Sequence, residues 1–370
     1  MINETRIVNM LFSTALAAIF CLCSCTEKQP TTAPEPENLP VGFRPMSQAV
    51  WVKSDPQPLS DFHSDFGVWG IARHSEISSP YILWTSEGLT QVTKNNAANA
   101  PANQYIPTED AYWLSGYTYN FIAIAPYTDS GLSNVNIVQT EESTSNAPDA
   151  MSFTFSLANK YEPSAASTPK VYDFDLMGAV AETHVSKAST QGAQPITFWH
   201  LLSQININII FVNDEGTTIN TGTVSQMRLL NIDTEADYTI SFNNNNELDV
   251  RCLSNSNQQA NLTFSSGTGI VNILPQNISD FEMYIDFTIT DGSSSSPKIV
   301  SYNDFKINLN IQNPTTNPNG TNPPVYNNNE SYSWNIKIGP KQNVSFKVEV
   351  APWTSSAIQD AENNNEFEIN

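Results

Sequence analysis

Positive charge is scarce in this sequence. Its 370 residues carry only 16 Lys and Arg against 37 Asp and Glu, a formal net charge of -21. Such a chain repels phosphate backbones, which excludes nucleic acid as a partner. Histidine is equally sparse. The four are His63, His74, His184 and His200, and none stands beside a second ligand at metal spacing. No nucleophile elbow, phosphate-binding glycine loop, dinucleotide fingerprint or calcium loop occurs, so neither a cofactor, a metal nor a catalytic residue is expected, and the chain does not read as an enzyme. Cysteine is also rare. Three of the four crowd together at Cys21, Cys23 and Cys25, which leaves Cys252 without a disulfide partner. One apolar run exists, Leu11–Cys23, and it falls short of the roughly 20 residues a membrane helix needs. No long stretch repeats with helical period.

What is present is strand. Hydrophobic residues make up 39% of the chain and aromatics 10%, a globular composition. In "FEMYIDFTIT" (281–290), Phe281, Met283, Ile285, Phe287 and Ile289 share one face, and Glu282, Tyr284, Asp286 and Thr288 the other. "QININIIF" (204–211) sets Ile205, Ile207 and Ile209 against Asn206 and Asn208, and "NVSFKVEV" (343–350) alternates likewise. Period two marks half-buried strands of antiparallel sheets. Turn signals about every ten residues, with no helices to cover crossovers, predict an all-β chain of two sandwich domains. The polar gap "NDEGTTINTG" (213–222) sets the expected units at 41–216 and 217–370.

Ahead of them, Leu22-Cys23-Ser24-Cys25 closes the apolar run and resembles the lipobox of bacterial lipoproteins. That resemblance implies a signal peptide over 1–24, cleavage before Cys25 and a lipid on its sulfur. Residues 25–40 continue as a tether with four prolines, "TEKQPTTAPEPENLP". The expected anchor is the outer membrane, through Cys25, with the protein exposed at the cell surface. Cys252 reads as a small buried hydrophobe, and His200 as structural. Asp173 and Asp175 of "YDFDLM" read as turn residues without a basic partner. Trp69, Trp84, Trp113, Trp199, Trp334 and Trp353 lie in or beside apolar runs and are expected in cores. The Asn/Pro/Thr tract 310–331 reads as a long loop.

Several segments in order resemble the fimbrillin family of Bacteroidales surface lipoproteins: "FGVWGIA" (66–72), "YWLSGYTYNFIAIAPY" (112–127), "DFDLMGAVA" (173–181), "PITFWHLLSQINI" (195–207), "NILPQ" (272–276) and "KVEVAPW" (347–353). The resemblance implies two transthyretin-like β-sandwiches in tandem and assembly into type V fimbriae. It further implies that a trypsin-like protease removes the lipid and the first strand, and that another subunit's C-terminal segment fills the resulting groove. The basic residues near the first strand, "LPVGFRP", are Arg44 and Lys53, but Pro45 follows Arg44 and disfavours cleavage there. The C-terminal "AIQDAENNNEFEIN" (357–370) offers Phe367 and Ile369 as a short alternating donor after a polar tract. Two functions stand: a structural fimbrial subunit or anchor contributing to adhesion, with other subunits as homo- or hetero-polymer partners, or a non-polymerising lipid-anchored module binding glycans or other host or bacterial surface ligands.

Overall fold

The computed structural model describes residues 39–47, 57–58, 65–84, 88–101, 103–127, 131–138, 149–158, 160, 174–188, 191–212, 222–243, 245–255, 257–277, 281–291, 298–307, 309, 327–339 and 344–352. Among them there is no α-helix, and none long and apolar enough to cross a membrane. The chain is all-β. Numbered in chain order, its strands form four sheets.

The largest sheet holds β1 (Phe43–Ser47), β3 (Phe66–His74), β5 (Thr90–Lys94), β6 (Tyr105–Pro107), β7 (Tyr117–Ala125), β10 (Met177–Val185) and β11 (Gln194–His200). Short β2 (Gln57–Pro58) adds to β1, and β4 (Ile77–Ile82) to β3. The order runs β11-β10-β7-β3-β5-β6-β1, and β1 pairs back onto β11, so the sheet closes into a barrel. A second sheet, β15-β14-β9-β8, joins β8 (Leu132–Val138) and β9 (Ala150–Ser156) to β14 (Glu235–Phe242) and β15 (Leu248–Ser254). The third is β17-β12-β20-β21, built from β12 (Ser203–Phe211), β17 (Thr268–Ile273), β20 (Glu330–Ile338) and β21 (Val344–Pro352). The fourth is β16-β13-β18-β19, from β13 (Gly222–Asp233), β16 (Gln259–Phe264), β18 (Glu282–Asp291) and β19 (Lys298–Ile307).

Pairing is antiparallel except at two places. β1 lies parallel to β11, and β12 parallel to β20. The sheets cut across sequence order. β12, expected within 41–216, pairs with β17 and β20, whereas β14 and β15, expected within 217–370, pair with β9 and with each other.

Two cores explain the arrangement. The barrel interior gathers Phe43, Phe66, Val68, Trp113, Tyr119, Phe121, Ile196 and Phe198. On β3 and β7 the opposite face is buried as well. Trp69, Ile71, Ile122 and Ile124 join a second core with Met151 and Phe153 of β9 and Tyr238 and Ile240 of β14. These strands are covered on both sides, so "FGVWGIA" and "YNFIAIA" show near-continuous burial instead of alternation. The same core continues between the third and fourth sheets, where Ile205, Ile207, Trp334 and Ile336 meet Met227, Leu229, Phe264, Met283, Ile285 and Phe287. Here alternation is clean, because the other face of each sheet is not part of the core. Gly70 marks one close approach inside the barrel. A Cβ there would stand 2.7 Å from both Leu83 and Trp84.

Candidate functional site: the barrel seam at the first strand

The barrel closes on residues 39–47. Each stave of the seam contributes backbone hydrogen bonds. Val41 donates to the Ala111 carbonyl (2.8 Å), Trp113 donates to Leu39 (3.1 Å), and Gln194 donates to Gly42 (2.7 Å). β1 then runs in register with β11 from Phe43 opposite Gln194 to Ser47 opposite Phe198. Against β6 it makes a single pair, Phe43 with Tyr105. One flank is therefore a continuous ladder, and the other is divided between β6 at Phe43 and β2 at Met46 and Ser47.

Side chains hold what the backbone does not. Phe43 is fully buried. Its ring meets Phe121 edge-on at 5.1 Å and Phe66 at 5.8 Å. Phe66 touches Phe198 at 5.2 Å and Tyr105 at 5.9 Å, and Trp113 touches Phe121 at 6.1 Å. Val41 and Met46 are buried too. Burial of each such side chain contributes about 1.5–3 kcal/mol, and each edge contact between rings about 0.5–1.5 kcal/mol. Desolvation pushes the phenols of Tyr105 and Tyr119 up from their ordinary range, so both stay neutral. The Tyr119 hydroxyl accepts from the Leu114 amide at 2.6 Å and faces the Tyr112 carbonyl at 3.4 Å. The buried indole N–H of Trp113 has no hydrogen-bond partner.

Arg44 lies inside this strand, exposed, between buried Phe43 and buried Pro45. It stands opposite Pro195, and Pro45 stands opposite Ile196. Cys25, Lys53, Phe367 and Ile369 lie outside the described residues, as does Trp353. Trp69, Trp84, Trp113 and Trp334 are buried, and Trp199 is half-buried.

The other singled-out residues have structural surroundings. Cys252 is partly buried on β15 and packs against the second core. Burial pushes its thiol up to about 11, with a hydrogen bond from Tyr238 opposing the shift. Asp175 corrects one sequence expectation. Read as a turn residue with no basic partner, it sits 2.8 Å from Nδ1 of His200. The two are 25 positions apart and meet because β10 and β11 are adjacent staves, so no local pattern reveals the pair. A second unread pair spans 76 positions. Arg73 on β3 reaches the buried Asp149 with two hydrogen bonds, at 2.6 and 2.8 Å, and Asn120 adds a third at 3.2 Å. It joins the barrel wall to the segment entering β9. Among the described residues, no group of three His, Cys, Asp or Glu side chains gathers where a metal ion could be held.

A family model described as fimbrillin-like matches residues 64–353. The chain belongs to this family. It is thus a fimbrial or adhesion-related protein of the cell surface. A comparison with curated proteins finds no match. Among solved structures, a fimbrial protein from Bacteroides vulgatus is 14% identical, covering 86% of this chain and 100% of its own, with a TM-score of 0.48. A candidate cell adhesion protein from Bacteroides uniformis is 16% identical over 85% of this chain and 99% of its own, with a TM-score of 0.42. At those values the likeness adds nothing to the family match.

Proposed function

We propose that this fimbrillin-like chain is a structural subunit or anchor of a surface fimbrium, assembled by strand addition and contributing to adhesion. The observation that supports the reading is the seam. β1 is short, its one continuous ladder is with β11 while its other flank meets only short stretches of β6 and β2, and it plugs an aromatic slot with Phe43. A slot of that kind can accept a strand from another subunit once β1 leaves, because a donor restores both the ladder and the apolar plug. Phe367 and Ile369 share the i, i+2 spacing of Val41 and Phe43, which suits them to such a donor. In this reading the signal spans 1–24, Cys25 carries a lipid in the outer membrane, and Arg44 or Lys53 is the maturation point. The two-domain division at 41–216 and 217–370 remains part of this reading.

The burial of Pro45 beside Arg44 favours the anchor form of this proposal. A protease needs an extended, accessible segment, and Arg44 is locked in a paired strand and followed by proline. The test is mass spectrometry of the mature N-terminus with gel analysis of surface fractions. A diacylated Cys25 on the chain at the fimbrial base is the expected anchor result, and a start after Arg44 or Lys53 with oligomer ladders is the shaft result. A strictly monomeric surface protein, unchanged by deletion of 357–370, would overturn the fimbrial role and leave the lipid-anchored binding module.

A further inference from the structure

The solvent-side face of the third sheet is built from amides and hydroxyls at its centre. Inward, β12 and β20 present Ile205, Ile207, Trp334 and Ile336 to the core. Outward, they present Gln204, Asn206, Asn208, Ser331, Ser333 and Asn335, six uncharged polar side chains on two adjacent parallel strands, with half-buried Ile210 closing the β12 row opposite Lys337. Every one is half-buried by its neighbours. The amides brace each other. Asn206 donates to Gln204 (3.2 Å) and to Ser331 (2.9 Å), Asn208 donates to Asn335 (3.3 Å), and Gln204 donates to Asn272 (3.3 Å). Charge stands only at the margins: Lys337 ends the β20 row, and Lys347 and Glu349 stand opposite Asn335 and Ser333 in the β21 register. The centre of this face is thus neutral in a chain of net charge -21.

Hydrogen-bonding capacity is left over. An amide offers two donors and two acceptor lone pairs. Asn206 spends both donors on its neighbours, so its Oδ1 stays open, while Asn208 and Asn335 share one bond and each keeps a donor and acceptor sites. These open groups sit on a grid of about 4.8 Å between strands and roughly 6.7 Å along each strand. We propose that this face binds an uncharged, hydroxyl-rich glycan. Sugar hydroxyls donate and accept in turn, and they replace water on a fixed amide grid nearly one for one. A protein partner would have to desolvate the same amides in an interface whose centre is normally apolar and aromatic. The only exposed apolar side chain of the β17 row is Ile270. The net charge of -21 on the whole chain disfavours sulfated or sialylated chains at long range. The site stands apart from the β1 seam, so it holds for a monomer as well as a polymer, in which repetition would add avidity.

The test is affinity gel electrophoresis of the full chain, as a monomer, in gels holding a β-glucan, a galactomannan or an arabinoxylan, with heparin and polygalacturonate as acidic counterparts. Calorimetry follows on any polymer that retards it. Retardation by at least one neutral polymer and by neither acidic one is expected. Asn208→Ala with Asn335→Ala should weaken it about tenfold, as loss of two or three hydrogen bonds implies. Ser333→Glu, which removes no mapped bond but places a charge amid the grid, should do the same and decides the matter if the double variant does not fold. Thr239→Ala, on the outer face of β14, should change nothing. Absence of retardation by every neutral polymer, unchanged binding in Ser333→Glu, or binding to the acidic polymers alone would overturn the proposal. So would a concentration-dependent dimer that the same variants abolish, since that outcome assigns the face to a second copy.

Discussion

Replacing Phe43 with alanine should open the barrel along one seam without unfolding the rest. The ring is fully buried and makes edge contacts with Phe66 and Phe121. Loss of its burial costs about 1.5–3 kcal/mol, and loss of two ring contacts adds about 0.5–1.5 kcal/mol each. The sum is centred on about 4 kcal/mol, within the range of about 3–5 kcal/mol measured for Phe→Ala in other cores. Because β1 meets β6 at one pair and β2 at two, with its only continuous ladder to β11, the loss should fall on local opening of residues 39–47. At 1.4 kcal/mol per decade, 4 kcal/mol raises the opened population by roughly three orders of magnitude. Hydrogen-exchange mass spectrometry reads this directly. Peptides holding the Val41, Trp113 and Gln194 amides, which donate across the seam, should lose protection. Peptides from β12 and β20 should keep theirs. A destabilisation below about 1 kcal/mol, or an increase in exchange spread evenly over all four sheets, would refute the idea that Phe43 is the plug of a separable strand.

Two further outcomes are expected. Arg73→Leu strips the buried Asp149 carboxylate of its bidentate partner while keeping an apolar stem, so chemical denaturation should show a loss of about 3–5 kcal/mol, with Asp149→Asn costing less. Cys252, with its thiol pushed up to about 11, should be alkylated at pH 8 roughly a hundredfold more slowly than an exposed cysteine. Because the fold favours the neutral thiol, the stability it contributes is intact below the ordinary thiol range and declines as pH rises through that range toward 11; a rate matching free cysteine at pH 8 would contradict this.

How much of this was legible depended on how each strand is covered. β12 and β18 face the core on one side only, so Ile205, Ile207 and Ile209, and Met283, Ile285 and Phe287, announce themselves by alternation. β3 and β7 lie between two cores, and their unbroken apolar runs show strands but not what covers them. Closure of the barrel is less visible still. It rests on the parallel pairing of β1 with a strand about 150 residues away, and a β1 of five residues carries no long periodicity. The sheet shared by β8–β9 and β14–β15 is opaque for the same reason: each hairpin is locally evident, but their union through β9 and β14 is not. The Asp175–His200 and Arg73–Asp149 pairs follow from those unions and could not be read before them. The amide face of β12 was in plain sight as the polar half of "QININIIF". Only the parallel neighbour β20, with Ser331, Ser333 and Asn335, makes it a surface.

The seam also constrains how any strand exchange could proceed. An intact β1 is covalently joined to the chain that forms its slot, so it competes with an incoming strand at a high effective concentration. A donor resembling Phe367 and Ile369 can form the same ladder to β11 but supplies two large apolar groups, whereas β1 and its approach supply Val41, Phe43 and Met46, all buried. On contacts alone the donor cannot win, and tethering widens the gap. Exchange therefore requires that the covalent link between β1 and the barrel be cut. Pro45 bears on that step directly: Pro45→Ala restores a residue that a trypsin-like enzyme accepts after Arg44 and leaves Phe43 in place. If Pro45 is what preserves the strand, the variant should gain a new N-terminus at residue 45 and oligomer ladders together. If ladders form in the parent protein with Cys25 still attached, cleavage is not the gate, and the competition argued here is wrong.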